Sequence, residues 1–218
     1  MIAAIVLAAG KSERMGSPKA LLQLRGRPFL EHILDAIAKS SIGDAVIVLG
    51  HHKDEIKRAL TSSPLPLGEG SERKRAGEGS STPGPQRERA SIVFNPNYEL
   101  GMVTSIQAGI RALPPGIDGA MLFLVDHPLV DPQTIDALIK NLRPGHIVLP
   151  TFQGRRGHPV LFSAALFDEI LALPATQGAN MIVRRDPTRI TEVPLNDRGI
   201  LVDIDTPEQF GKLLEGKE

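Results

Sequence analysis

Residues 2–9 of this chain form an unbroken apolar run that stops at Gly10, where a small, polar, basic segment takes over with Lys11, Ser12, Arg14, Gly16 and Lys19. A run with no polar side chain leaves no face for water, so it reads as a strand covered on both sides. Such strands belong to parallel sheets, whose crossovers lay helices over both faces. Nearly continuous apolar runs recur at residues 45–49, 91–94, 120–125 and 146–149. Helical spacing fills the intervals. Residues 29–39 put Phe29, Leu30, Ile33, Leu34 and Ile37 on one face. Residues 54–60, 103–113 and 132–142 read as further helices, the last with Asp131 as N-cap and Pro132 at the first helical position. Beyond them the pattern predicts a helix over 162–173, a helical segment over 178–184, a strand near 191–193 and a last helix from Thr206. The alternation predicts an α/β fold: one Rossmann-like domain over 1–218, with a doubly wound, mostly parallel sheet flanked by helices.

Residues 61–90 stand outside this scheme. They are rich in Pro, Gly, Ser and charge, repeat GEGS at Gly68 and Gly77, and hold only Leu65 and Leu67 as large aliphatic residues. Such a stretch buries too little apolar area to offset its ordering entropy, so a disordered low-complexity insertion is expected. A basic binding arm through Arg73, Lys74, Arg75, Arg87 and Arg89 is the other reading; interleaved Glu69, Glu72, Glu78 and Glu88 weigh against it.

Bulk composition excludes several function classes. Lys plus Arg equals Asp plus Glu at 25 each, so no global field draws the chain to nucleic acid or a membrane surface. There is no cysteine, which excludes disulfides, thiolate metal sites and cysteine nucleophiles. No run is long enough for a membrane span, and the first residues lack the basic region of a signal peptide, so a cytoplasmic protein is expected. Aromatic residues make up 4%, too few for a base-stacking platform along single strands.

The segment after residue 9 has the composition of a phosphate site. Glycine lets backbone approach a ligand, turn amides point at phosphate oxygens, and Arg and Lys neutralise charge. Neither GxxxxGK[ST] nor GxGxxG occurs, so the two commoner phosphate loops are absent. What stands here is LAAGKSERMGSPK. It resembles the signature of the nucleotidyltransferases that make nucleoside-diphosphate sugars, CDP-alcohols and molybdopterin dinucleotides. The resemblance runs on through GHHKDEI, NPNYELGMVTSIQAG, LFLVDHPLV and GRRGHPVLF to VDIDTPE. Within that group, G-x-x-G-H-P-x-x-F resembles the molybdenum cofactor cytidylyltransferases.

Nucleotidyl transfer needs a charge clamp on a triphosphate, a divalent cation and a site for the acceptor. The resemblance implies that Arg14 and Lys19 are catalytic and that Leu7, Ala8, Ala9 and Gly10 line the nucleotide pocket with them. It adds Gly101 and Ser105, at the start of a helix, to base recognition; an ordinary capped helix explains them equally well. Asp126, at the C-terminal end of a buried strand, faces the ligand crevice and is a candidate Mg²⁺ ligand. The motif D-x-D-T-P-E supplies Asp203 and Asp205, on one face if the segment is extended. The resemblance favours Asp205 as the second ligand; as plain chemistry it is also a helix N-cap before Pro207. Gly157 and His158 are candidate acceptor contacts, His158 being equally at home as a structural histidine. His51 and His52 read as solvated, and His127 stays ambiguous. Ala9 matches the cytidylyl-type relatives, which implies CTP as substrate. Relatives often carry G-A-R where this chain has Gly178, Ala179 and Asn180, so one potential anion contact is missing.

The leading expectation is a Mg²⁺-dependent transfer of CMP from CTP to molybdopterin, with a molybdenum hydroxylase or its chaperone as the implied partner. A sugar-phosphate or alditol-phosphate nucleotidyltransferase and a non-catalytic molybdopterin-binding accessory protein are the alternatives. The G-x-x-G-H-P loop favours the pterin, and the set Arg14, Lys19, Asp126 and Asp205 favours an enzyme.

Overall fold

The computed structural model describes residues 1–62, 89–178 and 180–215. The expected insertion over 61–90 lies outside these, apart from its first two residues, which end a helix, and its last two, which begin a strand.

Strand β1 (Ile2–Ala8) leads through a loop and a small hairpin, β2 (Gln23–Leu24) and β3 (Arg27–Pro28), into α1 (Phe29–Ala38). There follow β4 (Asp44–Leu49), α2 (Lys53–Ser62), β5 (Arg89–Phe94), α3 (Met102–Ala112), β6 (Gly119–Leu124) and α4 (Pro132–Lys140). The C-terminal part adds β7 (Ile147–Phe152), β8 (Arg155–Arg156), β9 (Val160–Ser163), α5 (Phe167–Leu171), α6 (Asn180–Arg185), β10 (Ile190–Pro194) and α7 (Pro207–Leu214).

The main sheet has the order β10-β7-β9-β6-β1-β4-β5, with β8 paired to the edge of β7. β1 lies between β4 and β6 and is parallel to both. All seven of its residues are buried, and the two sets of side chains enter different cores. Ala4, Val6 and Ala8 meet Leu30 and Ile33 of α1, Ile56 of α2 and Ile135 and Leu138 of α4. Ile5 and Leu7 meet Ile106 and Ile110 of α3 and Ile170 of α5. Helices therefore cover both faces, as the apolar runs require, and each fully buried Ile or Leu contributes about 1.5–3 kcal/mol. Asp131 caps α4 as expected, its carboxylate accepting from the Gln133 N–H at 2.8 Å.

One element differs from expectation. Residues 162–173 are not a single helix: β9 inserts antiparallel between β6 and β7, with Phe162 opposite both Ala120 and Ile147. Only Phe167–Leu171 is α-helical. The strand forms because Val160, Leu161 and Phe162 find a two-sided slot in the sheet, and that tertiary burial overrides the helical spacing read along the chain.

Candidate functional site

A cleft of about 390 Å³ opens where β1 and β6 end. This is the carboxyl edge of the parallel strands, where open α/β sheets hold ligands. Its walls include Leu7, Ala8, Ala9 and Gly10 at the end of β1, Arg14 and Lys19 from the loop that follows, and Tyr98, Met102 and Ser105 opposite, with Asp126 and Asp205. The sequence-predicted nucleotide residues thus converge, except Gly101, which is the N-cap of α3 and does not line the cleft.

The loop is folded back on itself. Ser12 adopts a left-handed conformation (φ 53°), its carbonyl accepts from the Met15 N–H at 2.9 Å, and its hydroxyl accepts from the Lys19 N–H at 3.0 Å. One serine therefore closes the loop at both ends and delivers Lys19 to the cleft. The rim is pinned from outside. Lys11 pairs with Glu99 at 2.9 Å, the His52 ring lies 3.0 Å from the Lys11 carbonyl, and the His51 ring lies 3.0 Å from the Tyr98 hydroxyl. His51 is exposed, as expected of a loop residue, and His52 is half-buried; each nonetheless has a partner from a distant segment. Gly50 allows this closure: a Cβ there would stand 2.4 Å from the Ala9 carbonyl and 2.8 Å from the Tyr98 ring.

The opposite wall is organised by a buried asparagine. Asn95 donates to the hydroxyls of Thr104 and Ser105, both at 2.9 Å, and accepts from the Asn97 N–H at 3.0 Å. Asn95 is thus the scaffold, and Ser105 is the residue of this motif that reaches the cleft.

Charge gathers where the C-terminal segment returns. The Ile204 N–H donates to the Asp126 carbonyl at 3.0 Å, and the Ile204 side chain is fully buried with Leu24 and Phe29. This plants Asp203 and Asp205 on either side of Asp126. Lys19 Nζ lies 3.3 Å from Asp126 Oδ2 and also bonds Asp205 Oδ1, while Arg14 reaches Asp205 Oδ2 at 3.2 Å. The Lys19 hydrogen bond, with the charges of Lys19 and Arg14, holds the Asp205 carboxyl below the usual carboxylate range. Asp205 is not the cap of α7. Thr206 fills that role in a capping box, and Gln209 Oε1 accepts from the Asp205 N–H at 2.7 Å and the Thr206 N–H at 2.9 Å.

On its other side Asp126 meets a different set. Asp126, His127 and Asp203 each offer a donor atom, all within 4.8 Å of one another. Asp126 Oδ1 and the Nδ1 atoms of His127 and His158 are buried without a hydrogen-bond partner. The His127 and His158 rings pack with centroids 4.6 Å apart. Burial pushes the His158 imidazole down to about 4, with His127 adding to the effect, and burial lowers His127 as well. Burial, then the charges of Asp126 and Asp205, raise Asp203. Lys19 thus bridges Asp126 and Asp205, the pair expected around one cation, while Asp203 and His127 bring donor atoms to the other side of Asp126. His127 was the residue sequence reasoning left unassigned, although its place beside Asp126 was the available signal.

A second cavity of about 630 Å³ lies beyond Asp203, with Phe152, Arg155, Gln209 and Lys212 in its walls. Gly157 does not open toward it. A Cβ at Gly157 would stand 2.4 Å from the Ile200 carbonyl, so the close approach this glycine permits is that of the chain itself. The His158 N–H donates to that same carbonyl at 3.0 Å, and His158 lines neither cavity. Of the departure at 178–180, Ala179 lies outside the described residues, and Asn180 begins α6.

A family model described as a MobA-like NTP transferase domain matches residues 4–190. The chain is 27% identical over 222 residues to nicotine blue oxidoreductase of Paenarthrobacter nicotinovorans, covering 98% of this chain and 96% of that protein. It is 27% identical over 214 residues to the molybdenum cofactor cytidylyltransferase of Escherichia coli (strain K12), covering 94% and 92%. The structure of a nucleotidyl transferase from Methanothermobacter thermautotroptrophicus superposes with a TM-score of 0.76 at 21% identity, covering 100% and 97%, a likeness of fold. Among the described residues no helix is long and apolar enough to cross a membrane.

Proposed function

The chain belongs to the MobA-like NTP transferase family, and from that premise we propose that it transfers CMP from CTP to molybdopterin and releases pyrophosphate. That it is a nucleotidyltransferase follows from the family; the nucleotide and the acceptor are the proposal. The observation that carries it is Lys19, set with Arg14 in a cleft at the carboxyl edge of β1 and β6, beside Asp126.

In this reading a phosphate oxygen of the acceptor attacks the α-phosphorus of CTP. A new P–O bond forms, the bond to the bridging oxygen of the β-phosphate breaks, and pyrophosphate departs. Lys19 exchanges its carboxylate partners for α-phosphate oxygens and neutralises the charge that builds there. Arg14, exposed and paired among the described residues with Asp205, swings onto the outer phosphates. Backbone at Ala8, Ala9 and Gly10 lies against the nucleotide, and Ser105 offers a hydroxyl to the base. The buried methyl of Ala9 narrows the pocket toward a pyrimidine. A divalent cation, when bound, withdraws charge from the triphosphate oxygens. Asp126 suits it, since Oδ1 is buried and has no other partner.

The acceptor enters from the Asp203 side, where Arg155 and Lys212 in the second cavity suit an anionic phosphate. The G-x-x-G-H-P loop and the 27% likeness to a molybdenum cofactor cytidylyltransferase support molybdopterin over a sugar or alditol phosphate. A molybdenum hydroxylase or its chaperone is the partner this reading implies. Pyrophosphate release measured across CTP, GTP, ATP and UTP, with molybdopterin or an alditol phosphate as acceptor, tests it. Release from CTP that depends on molybdopterin is the expected result; release with the alditol phosphate alone overturns the acceptor, and release with GTP alone overturns the nucleotide.

A further inference from the structure

We propose that Tyr98 is the wall on which the nucleotide base stacks, and that His51 is the positioning residue that fixes its ring beside Ala9. The inference rests on the nucleotidyl-transfer reading for the nucleotide itself and adds the surface that grips its base. Among the described residues lining the cleft, Tyr98 alone is aromatic. Its ring is half-buried: part of it packs on the core with Val93 and Ile106, and part lines the cleft. A ring covered in this way offers a flat apolar face, and every base has a π-face that stacks on one. Arg14 and Lys19 rise from the loop opposite, so the apolar wall is left to the base.

The second observation is how firmly the ring is held. Three segments meet there: Ala9 after β1, Gly50 and His51 after β4, and Tyr98 in the turn before α3. The His51 ring lies 3.0 Å from the Tyr98 hydroxyl, and the His51 N–H donates to the Ala9 carbonyl at 3.3 Å. One histidine therefore holds both sides of the same slot, by its ring on Tyr98 and by its backbone on Ala9. Gly50 sets how closely they approach. A Cβ there would stand 2.8 Å from the Tyr98 ring and 2.9 Å from the Ala9 methyl, so both close against bare backbone.

The fastening is itself braced. His52 packs edge-on against the His51 ring, with centroids 4.7 Å apart, which limits how the imidazole can turn. Lys11 and Glu99 join the residue after Gly10 to the residue after Tyr98 at 2.9 Å. A surface residue fixed from several sides holds a slot of set width rather than one that adapts to its guest. Such a slot selects by the size of the base, and Tyr98 shares that task with the Ala9 methyl.

The chain has one tyrosine and no tryptophan, so the ring signals of Tyr98 are unambiguous. The test is nuclear Overhauser contacts between these ring protons and the cytosine ring protons of CTP, bound with Mg²⁺ to the full chain. Contacts are expected. Tyr98→Leu should raise KM for CTP about tenfold or more and change kcat less than about threefold, since the ring grips the base and not the reacting phosphate. Tyr98→Phe and His51→Ala each break the same fastening and should each raise KM about two- to tenfold; combined, they should cost no more than either alone. Thermal melting controls for folding. Should Tyr98→Leu fail to fold, the ring contacts in the unaltered protein decide. Absent contacts, or a KM that Tyr98→Leu leaves within about twofold, overturn the wall, and additive losses overturn the role of His51. Pyrophosphate release from CTP without ring contacts removes the wall and keeps the reaction. Ring contacts to guanine with GTP, and none with CTP, keep the wall and remove the cytidylyl reading.

Discussion

On the cleft side of Asp126 the charges are paired: Lys19 bridges Asp126 and Asp205, and Arg14 reaches Asp205. On the far side, Asp126 Oδ1, His127 Nδ1 and His158 Nδ1 are buried with no hydrogen-bond partner among the described residues. The two halves of one site wait for their ligands in different ways. In the proposed reaction the paired half holds carboxylates where phosphate oxygens would sit, so a nucleotide would enter by exchange of partners. The unpaired half has no ion pair to exchange, and its polar atoms carry the desolvation cost of burial without a hydrogen bond in return.

Lys19→Ala strikes the paired half hardest. Turnover should fall roughly 10²–10³-fold, the loss typical of removing one group aimed at developing charge. Melting should change by about 1–2 kcal/mol at most, since only a part-exposed ion pair is lost. Pyrophosphate release and a thermal melt check both, and unchanged turnover would mean the pair is architecture alone.

Nucleotide preference is the next effect in size. A pocket bounded by Ala9 should favour CTP over GTP by roughly 10–200-fold, read as the ratio of kcat/KM. Equal use of both nucleotides breaks the idea that the cleft measures the base.

Asp205→Asn sharpens the comparison, because the two roles offered for this carboxylate predict opposite signs. If Asp205 stands in for phosphate, its loss frees Lys19 and Arg14, and nucleotide should bind about two- to fivefold tighter, in line with a part-exposed ion pair. Weaker nucleotide binding with a raised metal requirement would return Asp205 to the metal.

The smallest effect supplies a reference for a pair that no ligand replaces. Glu169 accepts from Arg189 at 2.7 Å and Arg185 at 3.0 Å, and the Arg189 hydrogen bond chiefly holds its carboxyl below the usual 4.5. A depressed carboxyl adds stability above its unfolded value and loses it as pH falls through its folded value. Glu169→Gln should therefore cost up to about 1 kcal/mol at pH 7, and the gap should close as pH falls below 4.5. Melting both proteins at pH 7 and pH 3 measures it; a gap that persists in acid would assign the loss to packing.

Legibility along the chain followed how local each cause is. β1, β4 and β6 were plain because two-sided burial writes itself as a solid apolar run. β9 was not: its apolar residues run straight into a helix, and the slot between β6 and β7 that makes them a strand is tertiary. Arg14, Lys19 and Asp126 were legible because each adjoins the end of a strand or the loop after it. How Asp203 and Asp205 are disposed about Asp126 was hidden, since it depends on the Ile204 N–H meeting the Asp126 carbonyl, and no spacing encodes that. Thr206, rather than Asp205, as the cap of α7 was within reach, because Gln209 three residues on completes the capping-box pattern.

That single Ile204 hydrogen bond also sets a timetable. A nascent chain that has emerged as far as Pro194 already carries every strand of the main sheet, with Lys19 and Asp126 aboard. It has neither Asp203 nor Asp205, and nothing to seat on Leu24 and Phe29 where Ile204 will go. The order of synthesis thus separates scaffold from cleft: the strands of the main sheet are all made before Asp203 and Asp205 emerge to join Lys19 and Asp126.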